Sequence, residues 1–323
     1  MTTNKAYSTD QLRLVTKVAR LYHQRGLKQP EIAKRLDISQ AGVSRALREA
    51  ERLGIVRVTV HIPPGIFSDL EAELEDRYKI NDIVVVEPVG NSDNDLFHAL
   101  GDGAAAYLEN VIPKCDVVGI SSWSESLLYT VNAMRPIAKS RTESIVQVLG
   151  GIGATASNGV ATRLTEKLAQ VCGAEPVFLL VPGLCSDDKA RRAIMNDNSC
   201  QSVFEYFSRI SLLLLGIGSL EPSRYLQDSA NRMTEAEQDS LRASGAVGDI
   251  CQRFFDQVGK PVKSSFNSRV IGMDFEQVLA VPRRVGVAGG MRKFEAIRGA
   301  LRGDLLTALI TDSEVARRLA RES

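Results

Sequence analysis

The sequence lacks the features that mark membrane-spanning and disulfide-bonded proteins. It has no hydrophobic run long enough to cross a bilayer, and no apolar region near its start of the kind that a secretory signal carries. Its five cysteines are scattered, odd in number and without a Cys-x-x-Cys pair, which argues against a disulfide framework or a zinc site. We therefore expect a cytoplasmic protein with reduced thiols and no membrane partner.

Histidine is also scarce, and this limits the chemistry available to the chain. His23, His61 and His98 are isolated, with no carboxylate or cysteine at metal-ligand spacing. Glycine-rich loops are present, but neither GGIGATA at 150–156 nor GIGSLE at 216–221 completes the G-x-G-x-x-G pattern of a dinucleotide site. We expect no metal ion and no cofactor.

The strongest positive signal is a helix-turn-helix over residues 28–53, KQPEIAKRLDISQAGVSRALREAERL. A first helix at 29–36 ends at a tight turn, and Ser39 can cap the second helix. Apolar residues of the first helix, such as Ile32, can meet apolar residues of the second, such as Leu47. In a helix-turn-helix the positions outside this shared core enter the major groove. Here they are Gln40, Ala41, Ser44, Arg45 and Arg48.

Charge is distributed unevenly along the chain. Residues 1–60 contain twelve Lys or Arg and five Asp or Glu, a net +7, whereas the whole chain carries +1, so the remainder carries −6. A basic head on a mildly acidic body is typical of a phosphate-binding module joined to a soluble partner domain. We expect Gln40, Ser44 and Arg45 to reach base edges, and Arg48 to hold DNA phosphates.

The pattern predicts three segments: a helix-turn-helix DNA-binding domain at 1–62, a linker helix at 63–80, and an effector-binding and oligomerisation domain at 81–323. Within the first, an amphipathic helix at 10–24 would pack behind the helix-turn-helix, and the alternating segment 55–62 would form a strand or hairpin arm. The linker helix is either a simple connection or a spacer between two DNA-binding heads.

Short apolar strands alternate with amphipathic helices from residue 81 onward. This predicts an α/β domain with a mostly parallel sheet covered on both faces. Strands are predicted at 83–86, 117–120, 145–149, 177–181, 210–217, 285–288 and 305–311. Helices are predicted between them, for example at 95–111, 159–171, 235–243 and 294–301. Ligands of such sheets lie outside the carboxyl ends of the strands, so the loops that follow strands are the candidate sites.

One candidate loop, SSWSES at 121–126, opens a helix and carries four hydroxyls. Free N–H groups and hydroxyls at a helix start suit a phosphate or a polyol, and Glu125 fits a hydroxyl-rich ligand better. The alternative is that Ser124 or Ser126 only caps the helix. Trp123 either stacks on a sugar ring or packs against the sheet.

Two further loops carry a charged residue beside glycines. Asp249 lies in a glycine-rich turn, where an aspartate is often only a turn former. Lys293 lies in the first turn of a helix, where its charge is unfavourable for the helix dipole unless it binds an anion.

Several segments in order resemble one known family: SQAGVSRALREAERLGIVRV, LLLLGIGS, GAVGDICQRFFD, VPRRVGVAGGMRKFEAIRGALRG and LLTALITDSEVARRLA. From about residue 10 the chain resembles the SorC/DeoR-type sugar-binding transcriptional regulators. The resemblance implies a bacterial DNA-binding regulator, typically a tetramer. Its effector domain would be similar in fold to glucosamine-phosphate isomerase, ribose-phosphate isomerase and CoA-transferase enzymes.

The resemblance also implies an effector site. The matching positions are the phosphate loop at Ser121, Ser122, Ser124, Glu125 and Ser126, the glycine loop at Gly150 and Gly151 with Asn158 beyond it, a basic residue at Arg232, a sugar-facing acid at Asp249 and a phosphate-facing lysine at Lys293. The family commonly has a G-x-G-W-G-like loop followed by a basic residue. Here serines replace glycines and Glu125 replaces the base, so a sugar, a sugar phosphate and a polyol all stay open.

Together these features predict a repressor of a carbohydrate or polyol operon, released by its inducer. Its partners would be operator double-stranded DNA, the effector and further copies of the chain. The alternative is a sugar-phosphate isomerase or deaminase with an added head, using Asp249 as base and Lys293 as phosphate anchor or Schiff-base amine. Against an enzyme, we find no histidine and no second acid in the loops to complete an acid–base pair. A third possibility is an architectural DNA-binding protein whose large domain only oligomerises.

Overall fold

A computed structural model of the chain describes residues 8–56, 65–151, 158–221 and 233–322, and for 158–160 it describes the backbone alone. By its internal contacts the chain divides into two compact units, Met1–Ile62 and Pro63–Ser323. No helix in these described ranges is both long and apolar enough to span a bilayer. All five cysteines are free and buried, as their scattered spacing predicts.

The first unit contains the predicted helices. They are α1 Thr9–Ala19, continued by a π-helical turn Arg20–Gln24, then α2 Gln29–Leu36 and α3 Gln40–Arg52. The predicted strand or hairpin arm at 55–62 lies, apart from its first two residues, outside the described residues.

Local chemistry explains the turn between α2 and α3. Asp37 ends α2 in the left-handed region, at φ 52°, a conformation that aspartate tolerates better than most residues. Ser39 caps α3, since its hydroxyl accepts a hydrogen bond from the Gly42 N–H at 3.1 Å. Ile32 of α2 and Val43 of α3 are fully buried in one apolar cluster with residues of α1. The two helices and the turn between them are observed at the predicted positions.

The second unit is built on a parallel sheet. Its strands lie in the order β1-β10-β9-β5-β2-β3-β4, and every paired neighbour is parallel. The strands are β1 Asp82–Val86, β2 Val117–Ile120, β3 Ser144–Gln147, β4 Glu175–Val177, β5 Leu212–Gly216, β9 Arg283–Val287 and β10 Ala308–Asp312. A smaller antiparallel sheet contains β6 Gly218–Ser219, β7 Ala246–Ile250 and β8 Arg253–Asp256.

Helices connect these strands. They are α4 Ser68–Tyr78, α5 Asp93–Val111, α6 Glu125–Ala133, α7 Asn158–Cys172, α8 Asp188–Met195, α9 Asn198–Phe207, α10 Glu235–Ala243, α11 Phe275–Ala280, α12 Phe294–Arg302 and α13 Ser313–Ala320. Alternate residues of the central strand β5 belong to two different apolar clusters, with Leu213 in one and Leu214 in the other. Both faces of the sheet are therefore covered, as the near-continuous apolar strands predict.

The predicted linker helix packs within the second unit. Leu74 of α4 is fully buried in the core cluster that also contains Ile83. The carboxylates of Glu71 and Glu75 accept hydrogen bonds from the N–H groups of Val85 and Ile83, at 2.9 and 2.8 Å. Because β1 is an edge strand, these bonds satisfy donors that would otherwise be free to pair with another chain.

Two predicted strands differ clearly from the observed bounds, and one sheet was not predicted. The strand predicted at 177–181 is observed at Glu175–Val177, because the chain turns where the Val181 N–H donates to the Leu179 carbonyl. The strand predicted at 305–311 starts at Ala308, because the Leu305 N–H still bonds the Ala300 carbonyl at the end of α12. The antiparallel sheet was not predicted, since its strands are short and interrupted by glycines.

Candidate functional site

In the first unit, α3 presents a polar face to solvent. Gln40, Ala41, Arg45 and Arg48 are exposed and Ser44 is half-buried. The Arg48 guanidinium donates to the Ser44 hydroxyl at 3.4 Å. Among the described residues, no carboxylate pairs with Arg45 or Arg48, so both guanidinium groups are available to an anion. The predicted DNA-contacting positions thus share one accessible face, and their contacts with DNA stay a prediction.

The second unit contains a cavity of about 430 Å³ beside the carboxyl ends of β2 and β5. One wall is the loop 121–125 that follows β2, and another is the antiparallel sheet with the turn that joins β7 to β8. Lys293, which follows β9 along the chain, also lines the cavity. The cavity therefore lies where ligands of parallel sheets bind.

The serine loop after β2 is held by its own hydrogen bonds. The Ser121 hydroxyl accepts from the Gly216 N–H at 3.2 Å, and the Ser122 hydroxyl donates to the Leu149 carbonyl at 2.9 Å. Ser124 caps α6 by accepting from the Leu127 N–H. These three serines and Glu125 line the cavity, whereas Ser126 is buried outside its lining. The capping alternative considered for Ser124 is thus realised, together with a place in the cavity wall.

Trp123 forms the apolar floor of this loop. It adopts a left-handed backbone conformation, at φ 66°, and is only 4% exposed. Its ring packs in one cluster with Phe254 and Phe266, and its indole N–H donates to the Gly150 carbonyl at 3.3 Å. Phe254 and Phe266 meet edge to face, with ring centroids 5.5 Å apart. Trp123 packs against the protein while its surface still lines the cavity.

The predicted glycine loop serves protein packing where the structure describes it. An added Cβ on Gly150 would collide with the Pro182 carbonyl, and one on Gly151 with the Ala161 side chain. Neither glycine lines the cavity. The side chain of Asn158, at the start of α7, and the whole of Arg232 lie outside the described residues.

Asp249 lies on strand β7, and the prediction of a glycine-rich turn for it was wrong. Its backbone pairs with Gly218 of β6, and a Cβ on that glycine would collide with the Asp249 carboxylate. The carboxylate accepts a hydrogen bond from the Gln252 N–H at 2.9 Å. Burial raises the pKa of Asp249 to about 6, although this bond and the charge of Lys293 both act to lower it.

Lys293 is the last residue of a short 3-10 turn and the N-cap of α12, so it stands just before the helix rather than in its first turn. Burial lowers the pKa of its ammonium group, against the opposing influence of Asp249. Its side chain forms no hydrogen bond or ion pair with any residue that the structure describes. A half-buried cation without a partner, at the wall of a cavity, is suited to bind a polar ligand.

The structure adds residues that sequence reasoning missed. Gln252 and Tyr129 line the cavity, and so does Ser219. Glu125 was predicted for the site, and it shares the cavity with Asp249, so the argument that the loops hold no second acid was wrong. The signal for Gln252 was weak, because only the pairing of β7 with β8 shows that Cys251 and Gln252 form the turn of a hairpin.

Comparisons with known proteins agree with this architecture. The Sugar-bind family model, which describes a sugar-binding domain, matches residues 65–321. The chain is 30% identical over 312 residues to the deoxyribonucleoside regulator of Bacillus subtilis (strain 168), an alignment that covers 96% of this chain and 97% of that protein. It is 27% identical over 318 residues to the sorbitol operon regulator of Klebsiella pneumoniae, covering 97% of this chain and 99% of that protein.

Solved structures extend the same relationship. The full-length sorbitol operon regulator SorC from Klebsiella pneumoniae superimposes with a TM-score of 0.73 at 26% identity, covering 97% of this chain and 100% of that chain. The sugar-binding domain of the transcriptional regulator DeoR from Pseudomonas syringae pv. tomato superimposes with a TM-score of 0.61 at 37% identity, covering 79% of this chain and 99% of that chain. The chain therefore belongs to the SorC/DeoR-type family of transcriptional regulators with a sugar-binding domain, as its sequence motifs predicted.

Proposed function

We propose that this protein represses a carbohydrate or polyol catabolic operon and leaves its operator when a sugar, sugar phosphate or polyol binds in the cavity of the second unit. The observation that carries the proposal is the presence in one chain of an accessible, basic α3 face and a polar cavity, in which Lys293 pairs with none of the described residues. Relatives of nearly equal length are named as a deoxyribonucleoside regulator and a sorbitol operon regulator, which supports the same arrangement here.

In the DNA-bound state, Gln40, Ser44 and Arg45 reach base edges, with Ala41 near the DNA surface, and Arg48 holds a phosphate. Arg45→Ala should cost roughly 1–3 kcal/mol of specific binding and relax sequence preference. Arg48→Ala should weaken binding to all sequences alike and reduce the slope of affinity against salt. Gel shifts at two salt concentrations measure both effects. Salt-insensitive binding that is unchanged by Arg45→Ala would contradict the assignment.

In the effector-bound state, Asp249 accepts hydrogen bonds from ligand hydroxyls and Lys293 binds a ligand oxygen. Ser121, Ser122, Ser124 and Glu125 form the opposite wall, so a ligand in the cavity touches segments that are far apart in sequence. Ser126, Gly150 and Gly151 support these segments. For Asn158 and Arg232 the family resemblance alone suggests a contact.

Control of DNA binding requires that the effector favours one arrangement of the protein over another. We propose a homotetramer, following the family resemblance, as the assembly that changes. Size-exclusion chromatography with light scattering, with and without effector, tests the assembly, and operator titrations test the change in affinity.

The enzyme alternative has one observation in its favour, because Asp249, Glu125 and Lys293 share the cavity. We propose a sensor, since the relatives are named as regulators. A thermal-shift screen with sugars, sugar phosphates and polyols, followed by a product assay on every stabilising compound, separates the two. Stabilisation without turnover supports the sensor, turnover supports the enzyme, and the absence of any response supports an architectural protein.

A further inference from the structure

The lining residues that the structure describes carry more negative than positive charge. Glu125 and Asp249 are half-buried together with Lys293, and the exposed rim adds two more acids and one more base. The described lining residues thus hold a net charge of −2, from Asp93, Glu125, Glu221 and Asp249 against Arg292 and Lys293. A phosphate dianion would enter against this charge in a partly desolvated space, where like charges repel more strongly than in water.

The donors that would cradle a phosphate are partly used within the protein. The Ser122 hydroxyl gives its hydrogen to the Leu149 carbonyl, and the Leu127 N–H of the first turn of α6 is bonded to Ser124. Glu125 also lies in this first turn, so its carboxylate already supplies the negative charge that a helix N-terminus favours. The start of α6 is therefore poorly suited to a second anion.

An unused acceptor lies in the turn between β7 and β8. Gln252 lines the cavity, is 5% exposed, and its Oε1 has no hydrogen-bond partner among the described residues. A buried acceptor without a partner is costly unless a ligand supplies a donor. A ligand hydroxyl supplies such a donor, with or without a phosphate elsewhere on the ligand, so this acceptor favours a hydroxyl at Gln252 and the charge of the lining decides against the ester.

The backbone conformation at Gln252 is unfavourable for any residue that carries a side chain. Cys251 and Gln252 both adopt left-handed conformations, at φ 51° and 58°, in the two-residue turn between β7 and β8. Turns of this kind favour Asn-Gly, because glycine has no side chain to clash. Residues of other types in this region are concentrated at ligand sites, and Gln252 lines the cavity.

Resting on the proposed function above, we propose that the effector is an uncharged polyhydroxy compound, a polyol or an unphosphorylated sugar, and that the Gln252 carboxamide is a specificity-determining contact for it. The negative lining disfavours phosphate esters, and the unpaired amide favours a hydroxyl donor.

Matched pairs of ligands test the charge preference in the full chain. The probes are D-glucitol and D-glucitol 6-phosphate, D-ribose and D-ribose 5-phosphate, and D-fructose and D-fructose 6-phosphate, with inorganic phosphate alongside. Thermal shift and the fluorescence of Trp123, the single tryptophan, report binding. We expect the tightest compound to be unphosphorylated and to bind at least about tenfold more tightly than its ester.

The outcomes separate this inference from the proposed function. If a phosphate ester binds more tightly than its parent and releases the operator, the proposed function stands and the uncharged-ligand inference is overturned. If operator binding is intact but none of the probes binds, both are overturned.

The variant Gln252→Gly tests the residue without endangering the fold, because glycine is favoured at this φ. We expect a melting temperature equal to or above that of the wild type, together with about a tenfold loss of affinity for the compound that the wild type binds best. Lys79→Gly is a matched control, since Lys79 is also left-handed, at φ 55°, and does not line this cavity. An unchanged affinity in Gln252→Gly would overturn the role of the carboxamide.

The variant Glu125→Gln tests the electrostatic part of the proposal. It removes one negative charge and keeps the shape of the side chain, so the preference for each parent compound over its ester should fall by about three- to tenfold. An unchanged preference would show that the lining charge does not select the ligand.

Discussion

Replacing Asp249 with asparagine should stabilise the second unit at neutral pH and weaken its response to effector. The pKa of Asp249 is raised by burial from 3.8 to about 6. Each pKa unit corresponds to about 1.4 kcal/mol, so the ionised carboxylate costs the native state about 3 kcal/mol relative to its protonated form. Asparagine has no such cost, and its carbonyl can still accept the hydrogen bond from the Gln252 N–H.

The direction of the pH dependence follows from which state binds the proton more tightly. The native state binds it more tightly, because the pKa of Asp249 is higher in the folded protein than in the unfolded chain. The stability contributed by Asp249 is therefore fully present below pH 4 and is lost as the pH rises through about 6. The advantage of Asp249→Asn over the wild type should grow with pH, by about 1.4 kcal/mol between pH 5 and pH 8.

The fluorescence of Trp123 can measure the stability of the second unit alone. Trp123 is the only tryptophan and is buried in the second unit, so its fluorescence during urea unfolding reports that unit and not the DNA-binding head. Asp76→Asn, a substitution at an exposed position of α4, is the matched control, and its stability difference from the wild type should not increase with pH. A stability difference between Asp249→Asn and wild type that is constant from pH 5 to pH 8 would refute the reasoning.

Three further predictions concern the cap, the salt response and the site. Ser39→Ala removes the cap of α3 and should destabilise the head by about 1 kcal/mol. Faster amide hydrogen exchange in α3 would measure this loss, and Ser39→Asp, which can still cap the helix, should retain most of the protection against exchange. Arg48→Ala should reduce the number of phosphates neutralised by about one, lowering the slope of log affinity against log salt by about 0.9; a wild-type slope would remove Arg48 from the interface. Gly218→Ala would place a methyl group against the Asp249 carboxylate, so effector-dependent operator release should be lost while operator binding persists; normal release would show that Asp249 can move without consequence.

Much of the DNA-binding head could be predicted because its signals are local. The αL turn at Asp37, the Ser39 cap and the apolar spacing of α2 and α3 all lie within 26 consecutive residues, and each is readable from residue type. The central strands were also readable, since parallel strands covered on both faces are short, continuous apolar runs.

The effector site could be predicted only in part, because its walls come from distant segments. Loop positions after strands indicated Ser121, Ser122, Ser124, Glu125 and Lys293, all of which line the cavity. The same reasoning gave Gly150 and Gly151, which instead pack against Pro182 and Ala161. It missed Gln252, whose position depends on a hairpin that no strong local pattern marks.

The sequence by itself determined the helix-turn-helix, the basic charge of the head and the α/β character of the second unit, because these depend on short-range periodicity, capping and composition. Only the tertiary structure decided which polar groups face one another across the cavity. The pairing of β6 with β7 brings Asp249 into the cavity that Glu125 also lines, and burial there raises the pKa of Asp249. Among the described residues, Lys293 and the Gln252 Oε1 are left without hydrogen-bond partners. Burial and proximity between distant segments are properties of the packed chain, and no local pattern in the sequence specifies them.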